Sequence, residues 1–79
     1  MERTEIVNRL TPIFRKVFND ESIEVTDTLT ANDVAGWDSL SHMLLITEVE
    51  NAFSIKFKLK DLNKMRNVGD MMDIITTKL

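Results

Sequence analysis

The sequence predicts an all-α fold, a four-helix bundle with a long loop between its first two helices and a short third helix. Three observations carry this expectation. Apolar residues recur at helical spacing in three separated stretches of the 79-residue chain. Residues 19–38, between the first two stretches, lack that periodicity and are rich in Thr, Asp and Asn. The only alternating stretch, "IKFKLK" from Ile55 to Lys60, has no second strand to pair with, so a sheet is not expected.

The first helix is read from Thr4 to Phe18, where Ile6, Leu10, Ile13, Phe14 and Val17 form one stripe at i, i+4, i+7, i+8 and i+11. Pro12 lies inside it and removes a backbone donor. Two forms stay open: a kink near Asn8, or a restart with Thr11 as cap and Pro12 in the new first turn. The loop after this helix offers Ile23, Val25, Leu29, Val34 and Trp37 as anchors, and Thr30 is placed to cap one helical turn in "TAND". Loops of this length in a compact domain tend to be functional or pinned by buried side chains.

The second helix is expected from about Ser39 to Phe53 with Asp38 as N-cap. Successive steps of 100° put His42, Leu45, Ile46, Val49 and Phe53 on a core-facing side. Leu40, Met43, Leu44 and Thr47 fall mainly on the other side, where this chain has nothing to bury them. "KDLNKM" suits a short third helix. The last helix opens at Asn67 with Asp70 three residues on, a capping-box-like start, and is expected to bury Val68, Met71, Met72, Ile75 and Leu79. No repeat, low-complexity tract or linker interrupts the chain, so residues 1–79 are read as one domain.

Composition narrows the function. With no cysteine, disulfide staples, thiolate zinc sites and a cysteine nucleophile are excluded, which fits a reducing cytoplasm. The opening "MERTEIVNRL" is charged and no apolar run approaches membrane-spanning length, so a soluble, intracellular protein is expected. Residues 1–55 hold ten acids and four bases, whereas residues 56–79 hold three acids and six bases. The acidic side includes Asp20, Glu21, Glu24, Asp27, Asp33 and Asp38 with no base among them, which disfavours nucleic acid and favours a basic protein partner. "DESIEVTD" lacks the central glycine and final glutamate of a helix-loop-helix calcium site, and no metal is expected.

"GWDSLSH", Gly36 to His42, combines one of the two glycines with the only tryptophan and the only histidine around Ser39. Ser39 has three readings. Asp38 and Ser39 can simply start a helix. Ser39 as nucleophile with His42 as base and Asp38 as acid would make a hydrolase, but the angles send His42 toward the core, and nothing is left to wall an acyl pocket or oxyanion hole. Attachment explains more, because a phosphodiester on a serine at a helix N-terminus meets free backbone N–H groups and the positive end of the helix dipole.

Asp38-Ser39-Leu40 preceded by Gly36-Trp37, the acidic loop before them, "EVENAF" closing the second helix and "NVGDMMDII" opening the last together resemble the acyl carrier proteins over nearly the whole chain. Their hallmark is Asp-Ser-Leu at the start of the second of four helices. The resemblance implies a stand-alone, monomeric, cytoplasmic carrier that is not itself an enzyme. It implies 4′-phosphopantetheine on Ser39, transferred from coenzyme A by a phosphopantetheinyl transferase, with acyl groups held as thioesters for fatty-acid, polyketide or related biosynthesis. Acyl-activating and acyl-transferring partners would read Asp38, Leu40, Ser41, Met43, Leu44, Thr47, Glu48 and Glu50. Ser41, Leu44 and Asn51 stand where fatty-acid carriers are often acidic, and Lys56, Lys58 and Lys60 come soon after. Two alternatives share the same fold: an aminoacyl carrier of the peptidyl or D-alanyl type, and an unmodified helical interaction module.

Overall fold

The computed structural model describes all 79 residues, Met1–Leu79. Four helices run in the order α1 (Arg3–Val17), α2 (Ser39–Phe53), α3 (Leu59–Asn63) and α4 (Val68–Lys78), with a 3-10 turn at Ala31–Asp33 and no strand. The long loop and the short third helix are as expected. One core of fifteen buried apolar residues gathers side chains from α1, α2, α4 and the connections. Each large side chain sealed there contributes about 1.5–3 kcal/mol relative to exposure.

Helix α1 buries Ile6, Leu10 and Phe14 completely, as its stripe requires. It runs uninterrupted through Pro12, and the Thr11 hydroxyl donates to the Val7 carbonyl at 2.8 Å. Thr11 is thus an interior residue of one helix, which rules out the restart. At the N-terminal end the Arg3 guanidinium joins Asp73 of α4 at 2.6 Å and Asp27 of the loop at 3.3 Å.

The loop from 19 to 38 is pinned by its apolar residues. Ile23, Val25 and Val34 are buried, while Leu29 and Trp37 pack against the core. Its backbone is also stitched to α4. The Val68 N–H donates to the Leu29 carbonyl and the Gly69 N–H to the Asp27 carbonyl, each at 2.9 Å. The first N–H groups of a helix have no partner within it, so loop carbonyls that accept from them satisfy both sides at once. The "TAND" turn forms as expected, with the Asp33 carboxylate accepting from the Thr30 N–H at 3.0 Å.

Helix α2 sends Leu45, Ile46, Val49 and Phe53 into the core and ends at Ser54, whose φ of 55° is left-handed. The alternation in "IKFKLK" is not a strand. Ile55 is buried and Phe57 packs on the core while Lys56 and Lys58 stay exposed. Leu59 already opens α3 and is 74% exposed, so the buried period of two covers only the connection 55–58. Its path is fixed by Glu50, whose carboxylate accepts from the Phe57 N–H at 2.8 Å. Asp61 holds α3, accepting from the Lys58 N–H at 2.8 Å and pairing with the Lys78 ammonium at 2.9 Å.

Two expectations for α4 need correction. Asn67 is the N-cap and accepts from the Asp70 N–H at 2.8 Å, but Asp70 does not complete a capping box on Asn67. Its carboxylate accepts instead from the Arg66 N–H at 3.1 Å. Leu79 lies beyond the helix end and is 51% exposed, so the apolar stripe stops at Ile75.

Candidate attachment site

The turn at Gly36 delivers the chain to α2. Gly36 has φ +85°, a conformation that residues with a Cβ rarely adopt. Two residues later Asp38 is the N-cap in a reciprocal box. Its carboxylate accepts from the Ser41 N–H at 2.9 Å, and its own N–H donates to the Ser41 hydroxyl oxygen at 2.8 Å. The same hydroxyl donates to the Gly36 carbonyl at 2.7 Å. Accepting from the Ser41 backbone N–H holds the Asp38 carboxyl below the usual carboxylate range.

This box leaves Ser39 free. It is exposed, it is the first residue of α2, and its hydroxyl is in no hydrogen bond of the protein, the box being built from Asp38 and Ser41. The residues that a hydrolase would recruit are occupied elsewhere. The Asp38 carboxylate is held by the cap, and His42 Nδ1 accepts from Trp37 Nε1 at 3.1 Å. His42 is half-buried at the core edge, not inside it, and that burial pulls its pKa below the ordinary value. The site offers a hydroxyl to an outside enzyme and has no base assigned to activate it.

Trp37 fixes this end of the molecule. Its ring meets Phe14 edge-on at 5.6 Å and lies against Phe18 at 5.4 Å, and its plane is within 18° of the His42 imidazole. The end of α1, the loop and the first turn of α2 are thereby joined through one side chain. Beside it opens a cleft of about 530 Å³, within the usual size of small-molecule sites. Ser39, Trp37, His42 and Met43 line one part of it, and Leu62, Met65 and Met71 line another. Asp38, Arg66 and Asn67 add polar atoms. No group of His, Asp and Glu is placed to hold a metal ion.

The expected recognition residues divide into two sets. Leu40, Met43 and Leu44 are 77%, 52% and 58% exposed, and Thr47 is exposed beside them. Ser41, Glu48 and Glu50 are half-buried and engaged: Ser41 in the cap, Glu48 with the Lys16 ammonium at 3.7 Å, Glu50 on the Phe57 N–H. Sequence reasoning missed Leu62, Met65, Arg66, Asn67 and Met71 as neighbours of Ser39, because no spacing in the chain encodes that proximity. The Trp37–His42 bond had a faint signal, two single-copy residues flanking Ser39.

Comparison with known proteins agrees with this geometry. Residues 5–75 match the family model described as a phosphopantetheine attachment site. An acyl carrier protein of Thermotoga maritima is 31% identical over 77 residues, covering 98% of this chain and 95% of that protein. One from an Exiguobacterium species is 36% identical over 56 residues, 71% of each chain. The solution structure of a holo acyl carrier protein from Geobacter metallireducens superposes with a TM-score of 0.87 at 51% identity, covering 92% of this chain and 84% of that one. The chain therefore belongs to the acyl carrier proteins, a family of carriers, not enzymes, whose prosthetic group is 4′-phosphopantetheine.

Proposed function

We propose that Ser39 is the attachment residue and that residues 1–79 work as one monomeric, cytoplasmic carrier domain that presents acyl groups in fatty-acid, polyketide or related biosynthesis. The observation that carries the reading is the free Ser39 hydroxyl, exposed at the N-terminus of α2 beside the cleft while its neighbours Asp38 and Ser41 are spent on the cap. The local chemistry suits a phosphate-linked arm. Unpaired N–H groups and the helix dipole favour a negative charge on Ser39, and the cleft offers apolar and polar walls to the rest of the arm. In attachment a phosphopantetheinyl transferase directs the Ser39 oxygen, which gives up its proton, onto the pantetheine-bearing phosphorus of coenzyme A. The new phosphoester bond forms as the pyrophosphate P–O bond breaks and adenosine 3′,5′-bisphosphate leaves. The bound group supplies a terminal thiol on which an acyl group is carried as a thioester.

No helix is long and apolar enough to cross a membrane. Leu40, Met43, Leu44 and Thr47, with Asp38, form the face offered to acyl-activating and acyl-transferring partners, since they are exposed and adjoin Ser39 on α2. Ser41, Glu48 and Glu50 act on that face through the helix they brace. Met43, Met65 and Met71 in the cleft repack at low cost, which supports transient cover for a flexible acyl chain.

The test is intact mass after incubation with coenzyme A and a broad-specificity transferase, run on the native protein and on Ser39→Ala. The native protein gains the mass of one arm and the variant gains none, with an unchanged helical circular dichroism spectrum because the Ser39 hydroxyl braces nothing. A full mass gain on Ser39→Ala would place the attachment elsewhere and overturn the reading.

A further inference from the structure

Trp37 and His42 hold a proton arrangement that bears on Ser39. An indole nitrogen only donates, so the 3.1 Å bond from Trp37 Nε1 requires a bare Nδ1 on His42. A neutral imidazole with a bare Nδ1 carries its proton on Nε2. His42 lies three residues after Ser39 on α2, the spacing that makes side chains neighbours on a helix surface, and both residues line the same cleft. The aromatic contacts of Trp37 with Phe14 and Phe18 keep the donor in place. The result is an N–H donor of fixed tautomer beside the oxygen that receives the phosphate.

We infer that His42 is a positioning residue for the arm: its Nε2–H donates to a phosphodiester oxygen on Ser39, and Trp37 sets the tautomer that makes this possible. The inference rests on the proposed attachment at Ser39. Two other charged groups line the cleft, Asp38 at the start of α2 and Arg66 before α4. Asp38 is engaged by Ser41, and Arg66 by Asp70 at 3.3 Å. The other helices bring apolar side chains here, Phe14 of α1 against Trp37, Leu62 of α3 and Met71 of α4. Of the cleft's neutral side-chain donors beyond Ser39, Trp37 Nε1 is spent on His42. Of the two still free, His42 Nε2 and the Asn67 amide, His42 is the one carried on the same helix as Ser39. An anion nearby favours the imidazolium, so loading raises the pKa that burial lowers in the unloaded protein.

The chain has a single histidine, so its imidazole nitrogens are assigned without ambiguity in two-bond 1H–15N spectra. Unloaded protein is expected to show the Nε2–H tautomer. Loading, verified by intact mass, is expected to shift the Nε2 resonance and to raise the titration midpoint of His42. The 31P resonance of the arm, whose phosphodiester does not itself titrate near neutrality, is expected to move through the same midpoint. Trp37→Phe keeps the ring packing, removes the donor, and is expected to mix the two tautomers and shrink the 31P response. His42→Leu abolishes that response, while His42→Gln, which keeps a side-chain N–H, retains the neutral-pH 31P position that His42→Leu loses. A Nδ1–H tautomer in the unloaded protein, or a loaded protein whose imidazole and 31P signals ignore each other, overturns the inference alone. A protein that takes no arm at Ser39 overturns it together with the proposed function.

Discussion

Gly69→Ala sets two opposed effects against each other at the joint between α4 and the loop that leads to Ser39. Gly69 lies in the first turn of α4, so alanine gains up to about 1 kcal/mol of helix propensity. Against that, a Cβ at this position would stand 2.8 Å from the Asp27 carbonyl oxygen and 3.2 Å from Asn67 Oδ1. The first obstacle is backbone, and it is the acceptor of the Gly69 N–H at 2.9 Å, so it cannot retreat without lengthening that bond. Overpacking of this kind costs about 1–3 kcal/mol, and a weakened backbone hydrogen bond adds about 0.5–1.5 kcal/mol. Sterics win by about 0.5–3.5 kcal/mol once the helix gain is subtracted. At about 4–8 °C per kcal/mol for a chain of this size, Tm falls by about 2–28 °C. Thermal melting by circular dichroism measures the loss, and hydrogen exchange locates it, since the Val68 and Gly69 amides lose protection before those of α2. A variant that melts at or above the native temperature would refute the reasoning, because it would show that the loop yields freely and does not hold the approach to Ser39.

Adjacent residues on α2 separate face from core. Leu44→Asp is expected to change stability by no more than about 0.5 kcal/mol while lowering acyl loading by a partner enzyme, whereas Leu45→Ala, at a position with no exposure, costs about 2–5 kcal/mol; thermal melts beside loading assays would expose a reversed assignment of the two faces. Asp38→Asn keeps an oxygen for the cap but removes the charge, and is expected to slow modification by a basic transferase at low salt and less at high salt, with Lys58→Gln and Lys60→Gln unchanged; equal salt behaviour of all three would deny the charge a role. Acid should destabilise the unloaded protein in two steps. Folded His42 resists the proton that the unfolded chain takes up near 6.5, so its contribution is present above that pH and lost as pH falls through the lowered folded value. Asp20, Asp38, Asp61 and Asp70 titrate below their ordinary value near 3.8, so theirs is lost only in stronger acid. His42→Gln should remove the first step and leave the second, as followed by Tm against pH.

Features set by one helix or one short segment were legible in the sequence. The opposition of Leu45, Ile46 and Val49 to Leu40, Met43 and Leu44 comes from 100° steps alone, and the structure buries the first set and exposes the second. Asp38 and Asn67 were readable as caps because the competition of short polar side chains for helix N–H groups is local. What escaped depends on where other segments lie. Asp70 has the spacing of a capping box, but the backbone path before α4 brings the Arg66 N–H to its carboxylate instead. Glu48 and Glu50 sit on the expected helix, yet Lys16 and the Phe57 N–H, supplied by other parts of the chain, decide what their carboxylates do. The cleft was invisible for the same reason, since its walls come from α2, α3, α4 and the loops between them.

The acidic loop illustrates how a charge pattern carries two meanings at once. Read as composition, six acids without a base from 19 to 38 advertise a negative surface for a basic partner. In the structure most of them build the loop itself. Asp20 accepts from the Ser22 N–H at 2.9 Å, Asp33 from Thr30, Asp38 from Ser41, and Asp27 and Glu24 pair with Arg3 and Arg15. Each local bond fixes a turn, and because these carboxylates remain largely exposed the turns keep their charge. Short acidic residues are therefore selected twice over by physics: their side chains reach backbone N–H groups two or three residues away, and their charge is left at the surface. Alanine substitutions in this loop consequently confound folding with recognition. Asparagine at 20, 33 or 38 retains the accepting oxygen and removes the charge, so a series of Asp→Asn variants compared at two salt concentrations separates what the loop does for Ser39 structurally from what it does for an approaching enzyme.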